Sequence, residues 1–167
     1  MEQIALSITN TLDALGIPHQ LITAIISMIP LLELRGSIVV VGGFLKLPLI
    51  PTFTTAVIGN MIPIPFILLF IESIFKWMKT KEKLKKIPLK LEEKTLQKSD
   101  QIEKYGYWGL LLFVGIPLPG TGAWTGALLA VLMGLNRKKS LLYIFLGVLL
   151  AGFIMSLLSY GIIGNII

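Results

Sequence analysis

Met28 to Gly43 read MIPLLELRGSIVVVGG, a run in which Glu33 and Arg35, one residue apart, are the only charges. An ionisable side chain within a bilayer costs several kcal/mol, so its default reading there is functional. Residues 115–131, GIPLPGTGAWTGALLAV, echo the run with the same Ile-Pro-Leu opening and small-residue exit, but without charge. Pro30, Glu33, Arg35 and Gly36 break the first apolar segment at its middle, and PLPGTGA breaks the second. About nine apolar residues remain on each side, Leu21 to Ile29 and Ser37 to Leu45 in the first case. Trp108 to Ile116 and Trp124 to Leu132 flank the second. At about 1.5 Å per residue each half reaches only about 13 Å, near half a bilayer. Two broken apolar segments in corresponding halves point to a transport site.

The rest of the chain supports a membrane setting. Its 167 residues are 54% hydrophobic, with a mean hydropathy of +0.83, too apolar for a soluble domain of this length. Leu47 to Ile71, Tyr105 to Leu135 and Leu141 to Ile167 carry no charge, and each is long enough to cross about 30 Å of hydrocarbon. Glu2 and Asp13 near the start, with no basic n-region, argue against a cleaved signal peptide. The absence of cysteine excludes disulfides, thiolate metal sites and thiol nucleophiles. The net charge of +6 reflects where the lysines lie, and no nucleic-acid partner is expected. Lys76 to Lys104 hold ten lysines against five acids, and Arg137-Lys138-Lys139 form a second cluster. Both flank apolar segments, where positive charge marks the cytoplasmic side.

That bias decides the expected topology. If both broken segments crossed the membrane, the two basic clusters would fall on opposite sides; as re-entrant hairpins they leave both in the cytoplasm. The expected fold is an all-α integral membrane protein, an inverted repeat of a re-entrant helical hairpin followed by a transmembrane helix. Within a single membrane domain, 1–167, residues 1–19 form an interfacial amphipathic helix. Residues 20–46 form the first hairpin and 47–77 the first span. Residues 78–104 are a cytoplasmic lysine-rich linker or helix, 105–136 the second hairpin and 140–167 the second span. Pro30 matches Pro117 at an offset of 87, and Gly59 matches Gly147 at 88. The two tips are expected to face each other near the midplane, where irregular backbone is tolerated only if enclosed by protein or lining a cavity.

Arg35 offers a planar fork of donors suited to phosphate or carboxylate. Gly36 and Ser37 are expected to open the helix behind it, as Gly120, Thr121 and Gly122 open the helix of the second tip, so that N–H groups and positive dipole ends converge on an anion pocket. Glu33 either holds Arg35, as a buried ion pair fixing the hairpin, or carries a proton. Gly122 and Gly126 have GxxxG spacing, which serves close helix packing as well as it serves ligand contact. Trp124 either stacks on cargo or fills space; Thr121 and Thr125 either cap the helix or touch ligand. Asn60 is a buried amide in a span kinked by Pro63 and Pro65, suited to a transport path or to helix packing. Trp77, Tyr105, Tyr107 and Trp108 read as an interfacial belt. His19 is the only histidine, so neither a metal nor a catalytic site is expected, and no HExxH or GxSxG is present.

ELRGS and PLPGTGAWTGAL, on a chain of this length and segment order, resemble the small multi-drug export protein family of prokaryotic membrane proteins. The resemblance implies efflux and covers essentially the whole chain. By position it implies signature residues Glu33, Arg35, Gly36, Pro117, Pro119, Gly120, Thr121, Gly122, Trp124 and Gly126. More distantly, paired re-entrant hairpins resemble DedA-type proteins, among them polyprenyl-phosphate translocases, which generally carry charge in both hairpins. Here the second tip is neutral.

The expected function is a small transporter in the cell membrane, multi-pass and without cofactor, binding a small molecule or lipid between the tips, with Glu33 coupling movement to protons. Anionic or amphipathic cargo, lipid phosphate included, is favoured because a cation would meet Arg35 and two positive dipole ends. Efflux of cationic drugs and a structural or assembly role without transport are the alternatives. An intramembrane enzyme and a channel have no motif in their support. Two spans offer little protein to seal a pathway, so a homodimer is expected.

Overall fold

The computed structural model describes residues 2–30, 32–118 and 120–162, and every regular element among them is helical. α1 (Glu2–Ala14) ends where Gly16 turns left-handed (φ 72°), letting the Ile17 N–H reach back to the Leu12 carbonyl. α2 (His19–Met28) follows Pro18 and buries Ile22, Thr23, Ile26 and Ser27. After the break at Pro30 the chain resumes as α3 (Glu33–Gly36) and runs straight into a π-helix, π1 (Ser37–Phe44). α4 (Leu49–Met61) and α5 (Pro63–Lys79) form one 31-residue path that bends at Ile62, ahead of Pro63 and Pro65, which bring no backbone donor. α6 (Lys86–Leu96) precedes α7 (Asp100–Gly115), which is interrupted at Gly106 (φ 58°, ψ −132°). Beyond the second break come α8 (Ala123–Leu132), α9 (Arg137–Ser156) and a second π-helix, π2 (Leu157–Ile162). By length and composition two stretches, Leu49–Lys79 and Arg137–Gly161, can cross a membrane.

Side-chain bonds show which ends lie together. Glu72 in α5 pairs with Lys76 (2.7 Å) and with Arg137 at the start of α9 (3.5 Å), while Lys79 pairs with Glu92 of α6 (2.7 Å). Lys76 and Lys79 of the first basic cluster and Arg137 of the second therefore share one end of the molecule. The Asn136 N–H donates to the Tyr107 hydroxyl (3.0 Å), so the second broken segment begins and finishes side by side. α9 rises about 30 Å over its 20 residues, which carries π2 to the far end. There the Tyr160 hydroxyl donates to the Leu47 carbonyl (2.9 Å) and the Ser159 hydroxyl to the Ile38 carbonyl (3.4 Å). The first broken segment also closes on itself, since Ile17 and Leu47 pack on one cluster built around Ile22, Ile26 and Val41.

A larger cluster holds the centre: Leu34 and Ile38, Ala56 and Ile64, Leu110 and Val114, Ala127 and Leu129, Ile144 and Val148. Two glycines set its closest approaches. A Cβ at Gly59 of α4 would lie 2.5 Å from the Ala24 carbonyl oxygen of α2; one at Gly147 of α9 would lie 2.8 Å from the Leu111 carbonyl oxygen of α7. No real side chain tolerates either distance without a backbone shift. The Ser27 hydroxyl adds a bond across the α2–α4 seam to the Ala56 carbonyl (2.6 Å).

Gly59→Val and Gly147→Val should each lower the thermal unfolding midpoint of detergent-purified protein, at a cost of about 1–3 kcal/mol for overpacking. Gly161→Ala, whose methyl meets no heavy atom within 4 Å among the described residues, should not lower it.

Candidate functional site

Glu33 begins α3 with a left-handed backbone (φ 48°), which in a residue with a Cβ costs about 1–3 kcal/mol. Its side chain leaves its own segment and reaches the second break. One carboxylate oxygen accepts the Ala123 N–H (3.3 Å), the other the Trp124 N–H (3.2 Å). Those are the first two N–H groups of α8, which have no partner inside the helix, and the negative charge sits at the positive end of the dipole. Gly122 has a backbone that residues with a Cβ rarely adopt (φ 138°), and it also makes room: a Cβ there would fall on the Glu33 carboxylate. The carboxylate is almost fully enclosed, at 6% exposure.

Arg35 performs the opposite task. Its Nη1 donates to the Leu118 carbonyl (2.7 Å), and its Nη2 to the Thr121 hydroxyl (2.9 Å) and, at 3.5 Å, to the Ile116 carbonyl. These acceptors lie just past the C-terminal, negative end of α7. The Thr121 hydroxyl itself donates within the break, with the Leu118 carbonyl 2.8 Å away. Among the described residues no ion pair joins Glu33 to Arg35. The acid and the base do not hold each other; each holds one of the two half-helix ends that meet at the second break.

This arrangement alters the local expectations. The helix behind the first break starts at Glu33, so the Gly36 N–H already bonds the Leu32 carbonyl (2.8 Å) and the Ser37 N–H the Glu33 carbonyl. No free N–H groups at Gly36 and Ser37 face an anion pocket, and Ser37 is buried with its hydroxyl on the Leu34 carbonyl (3.0 Å). Thr121 does not cap α8; Glu33 does. The two glycines of the GxxxG spacing divide their tasks, Gly122 admitting Glu33 and Gly126 admitting Val114 of α7, 2.6 Å from a Cβ at that position. Trp124 packs its ring on the central cluster, with its indole N–H buried and, among the described residues, without a hydrogen-bond partner. Asn60 lies in α4, 2% exposed, and its Oδ1 likewise has no partner among the described residues. Thr125 is half-buried on α8, and Pro117 is half-buried within the break. Pro119 lies outside the described residues.

Sequence reasoning missed Lys98, one of ten lysines in its region with nothing to distinguish it. Its ammonium donates to the Gly120 carbonyl (2.7 Å) at the second break. Were α7 a straight rod, Lys98 would stand about 27 Å from Ile116; the left-handed Gly106 lets the Asp100 end of α7 turn back along its own second half. Among the described residues no group of three or more acidic or histidine side chains could hold a metal ion.

A family model covers residues 33–154, opening on Glu33 just after the first break and enclosing the second. The chain belongs to the small multi-drug export protein family. No curated protein and no solved structure matches it. Membership in this export family, with the two candidate spans, gives the protein a membrane location and argues for a transporter rather than an enzyme. In this family member the matched region contains Glu33 and Arg35 and all their partners at the second break.

Glu33→Ala removes the acceptor for two buried N–H groups and should cost about 1–3 kcal/mol of unfolding free energy. Gly122→Ala should cost as much, because its methyl competes with the carboxylate for one space. In the double variant the second change should cost less than alone, a coupling readable as a double-mutant cycle in detergent.

Proposed function

We propose that this protein is a transporter of the cell membrane, built as an inverted repeat, whose two broken segments enter the bilayer from opposite sides and meet through Glu33 and Arg35. The bonds at the two ends support the inversion: the first broken segment closes near Leu47 and Tyr160, the second near Tyr107, Asn136 and Arg137. The glycine contacts support the repeat. Ala24 and Leu111, the residues met by Gly59 and Gly147, are themselves 87 positions apart, the spacing of Pro30 and Pro117. Both basic clusters face the cytoplasm in this reading, and a second copy of the chain helps enclose the pathway.

The observation that carries the mechanism is the Glu33 carboxylate at the N-terminus of α8. Charge-assisted hydrogen bonds of this kind are about twice as strong as neutral ones, so while Glu33 is ionised the tips stay together. A proton on Glu33 removes the charge that α8 holds. The anionic head of an amphipathic cargo, a carboxylate or phosphate, then takes the place of Glu33 on the Ala123 and Trp124 N–H groups, and Arg35 joins it by releasing the Ile116 and Leu118 carbonyls. Cargo and proton thus occupy the same open state, and alternating access arises from rocking one half against the other.

The test uses liposomes containing purified protein and a trapped pH dye. A gradient of hexyl phosphate should move protons with it, and Glu33→Gln and Arg35→Ala should each slow that flux at least tenfold while eluting as folded protein. Proton flux driven instead by ethidium, and lost in Glu33→Gln, would replace the anion with a cationic drug as cargo. Flux with neither probe would leave the chain a structural or assembly protein.

A further inference from the structure

A cavity of about 290 Å³ opens beside the contacts of Arg35, and Thr121 belongs to both: it accepts from Arg35 and lines the cavity wall. The walls are of two kinds. Leu112, Phe113, Ile116 and Leu118 make an apolar side, of which Leu112, Ile116 and Leu118 remain 38–49% exposed at the surface. Lys98 and Asp100 stand on the rim, brought there by the turn at Gly106. Lys98 bonds only a neutral carbonyl, that of Gly120. Asp100 occupies the first turn of α7, where the dipole favours its negative charge. Among the described residues the two do not pair with each other, and neither has an oppositely charged partner.

We propose that this cavity binds the head of a zwitterionic amphiphile, its anionic group on Lys98 and Thr121 and its cationic group on Asp100, with the chain running out over Leu112, Ile116 and Leu118. One cation and one anion, both uncompensated and facing the same small space, match a head that carries both charges. A purely anionic head leaves Asp100 facing a like charge, and a purely cationic head does the same to Lys98; such unpaired charges are how a site rejects the wrong ligand. Size points the same way. The cavity lies at the low end of the roughly 300–1,000 Å³ of ligand pockets, enough for a head group, so the chain must lie on the exposed apolar side. Through Thr121 the occupied cavity adjoins Arg35, but it is a site apart from the anion pathway proposed above, and binding here does not depend on that pathway.

Binding is therefore measured by itself, by titration calorimetry on the full chain in maltoside micelles. The probes are hexylphosphocholine, hexyl phosphate and hexyltrimethylammonium. Hexylphosphocholine should bind best, and Lys98→Gln and Asp100→Asn should each weaken it about tenfold. Both side chains are exposed, so neither change threatens the fold, and an unchanged unfolding midpoint confirms that. Equal binding of hexyl phosphate, strengthened in Asp100→Asn, would overturn the zwitterionic assignment in favour of an anion site. Preference for hexyltrimethylammonium, or no binding at all, would overturn it too. Repeating the titration in nanodiscs identifies the source: a phosphocholine bilayer that competes the probe away, where a phosphatidylglycerol bilayer does not, marks the occupant as a membrane lipid. Binding without flux in the liposome experiment would retain this site and discard the transport reading.

Discussion

A carboxylate carried by one broken helix and satisfied by the backbone of another is the constraint on which the centre of this molecule depends. Glu33 is enclosed, and an enclosed carboxylate must find donors. The donors available are two N–H groups that α8 cannot use itself. Everything nearby is shaped to allow that one reach. The backbone of Glu33 is left-handed, Gly122 has no side chain, and Arg35 departs toward the carbonyls of the other half-helix. Each half-helix end meets the charge that its dipole prefers, so two mismatched groups in apolar surroundings become two matched ones.

Outside that centre, the molecule is held by seams of differing character. The α2–α4 and α7–α9 seams are glycine-close, with backbone against backbone. The contacts that Glu33 and Arg35 make with the second break are polar, and the apolar cluster that runs from Leu34 and Ile38 to Ala127 and Ile144 packs the two halves together around them.

The sequence showed much of this through its punctuation. Pro30 and the Pro117 to Gly122 stretch marked both breaks, the gap between Lys79 and Arg137 marked which ends share charge, and Glu33 with Arg35 marked the centre. What it hid was partnership. Two charges one residue apart suggest each other as partners, and nothing in a one-dimensional pattern says that a left-handed Glu33 turns them to opposite ends of a second element. The helix start at Glu33 rather than Gly36 was hidden for the same reason, since a left-handed first residue has no propensity signal. Lys98 was hidden because its position depends on Gly106, a single backbone reversal at the junction between the lysine-rich linker and the second broken segment.

The neutrality of the second break has a consequence for how such a chain can be assembled. A molecule made of two copies of the first half would bring a glutamate to each helix start and an arginine to each helix end, with like charges crowding the same junction. Two copies of the second half would meet with no charge to close them. The junction forms only between unlike partners. Duplication alone therefore cannot generate this centre.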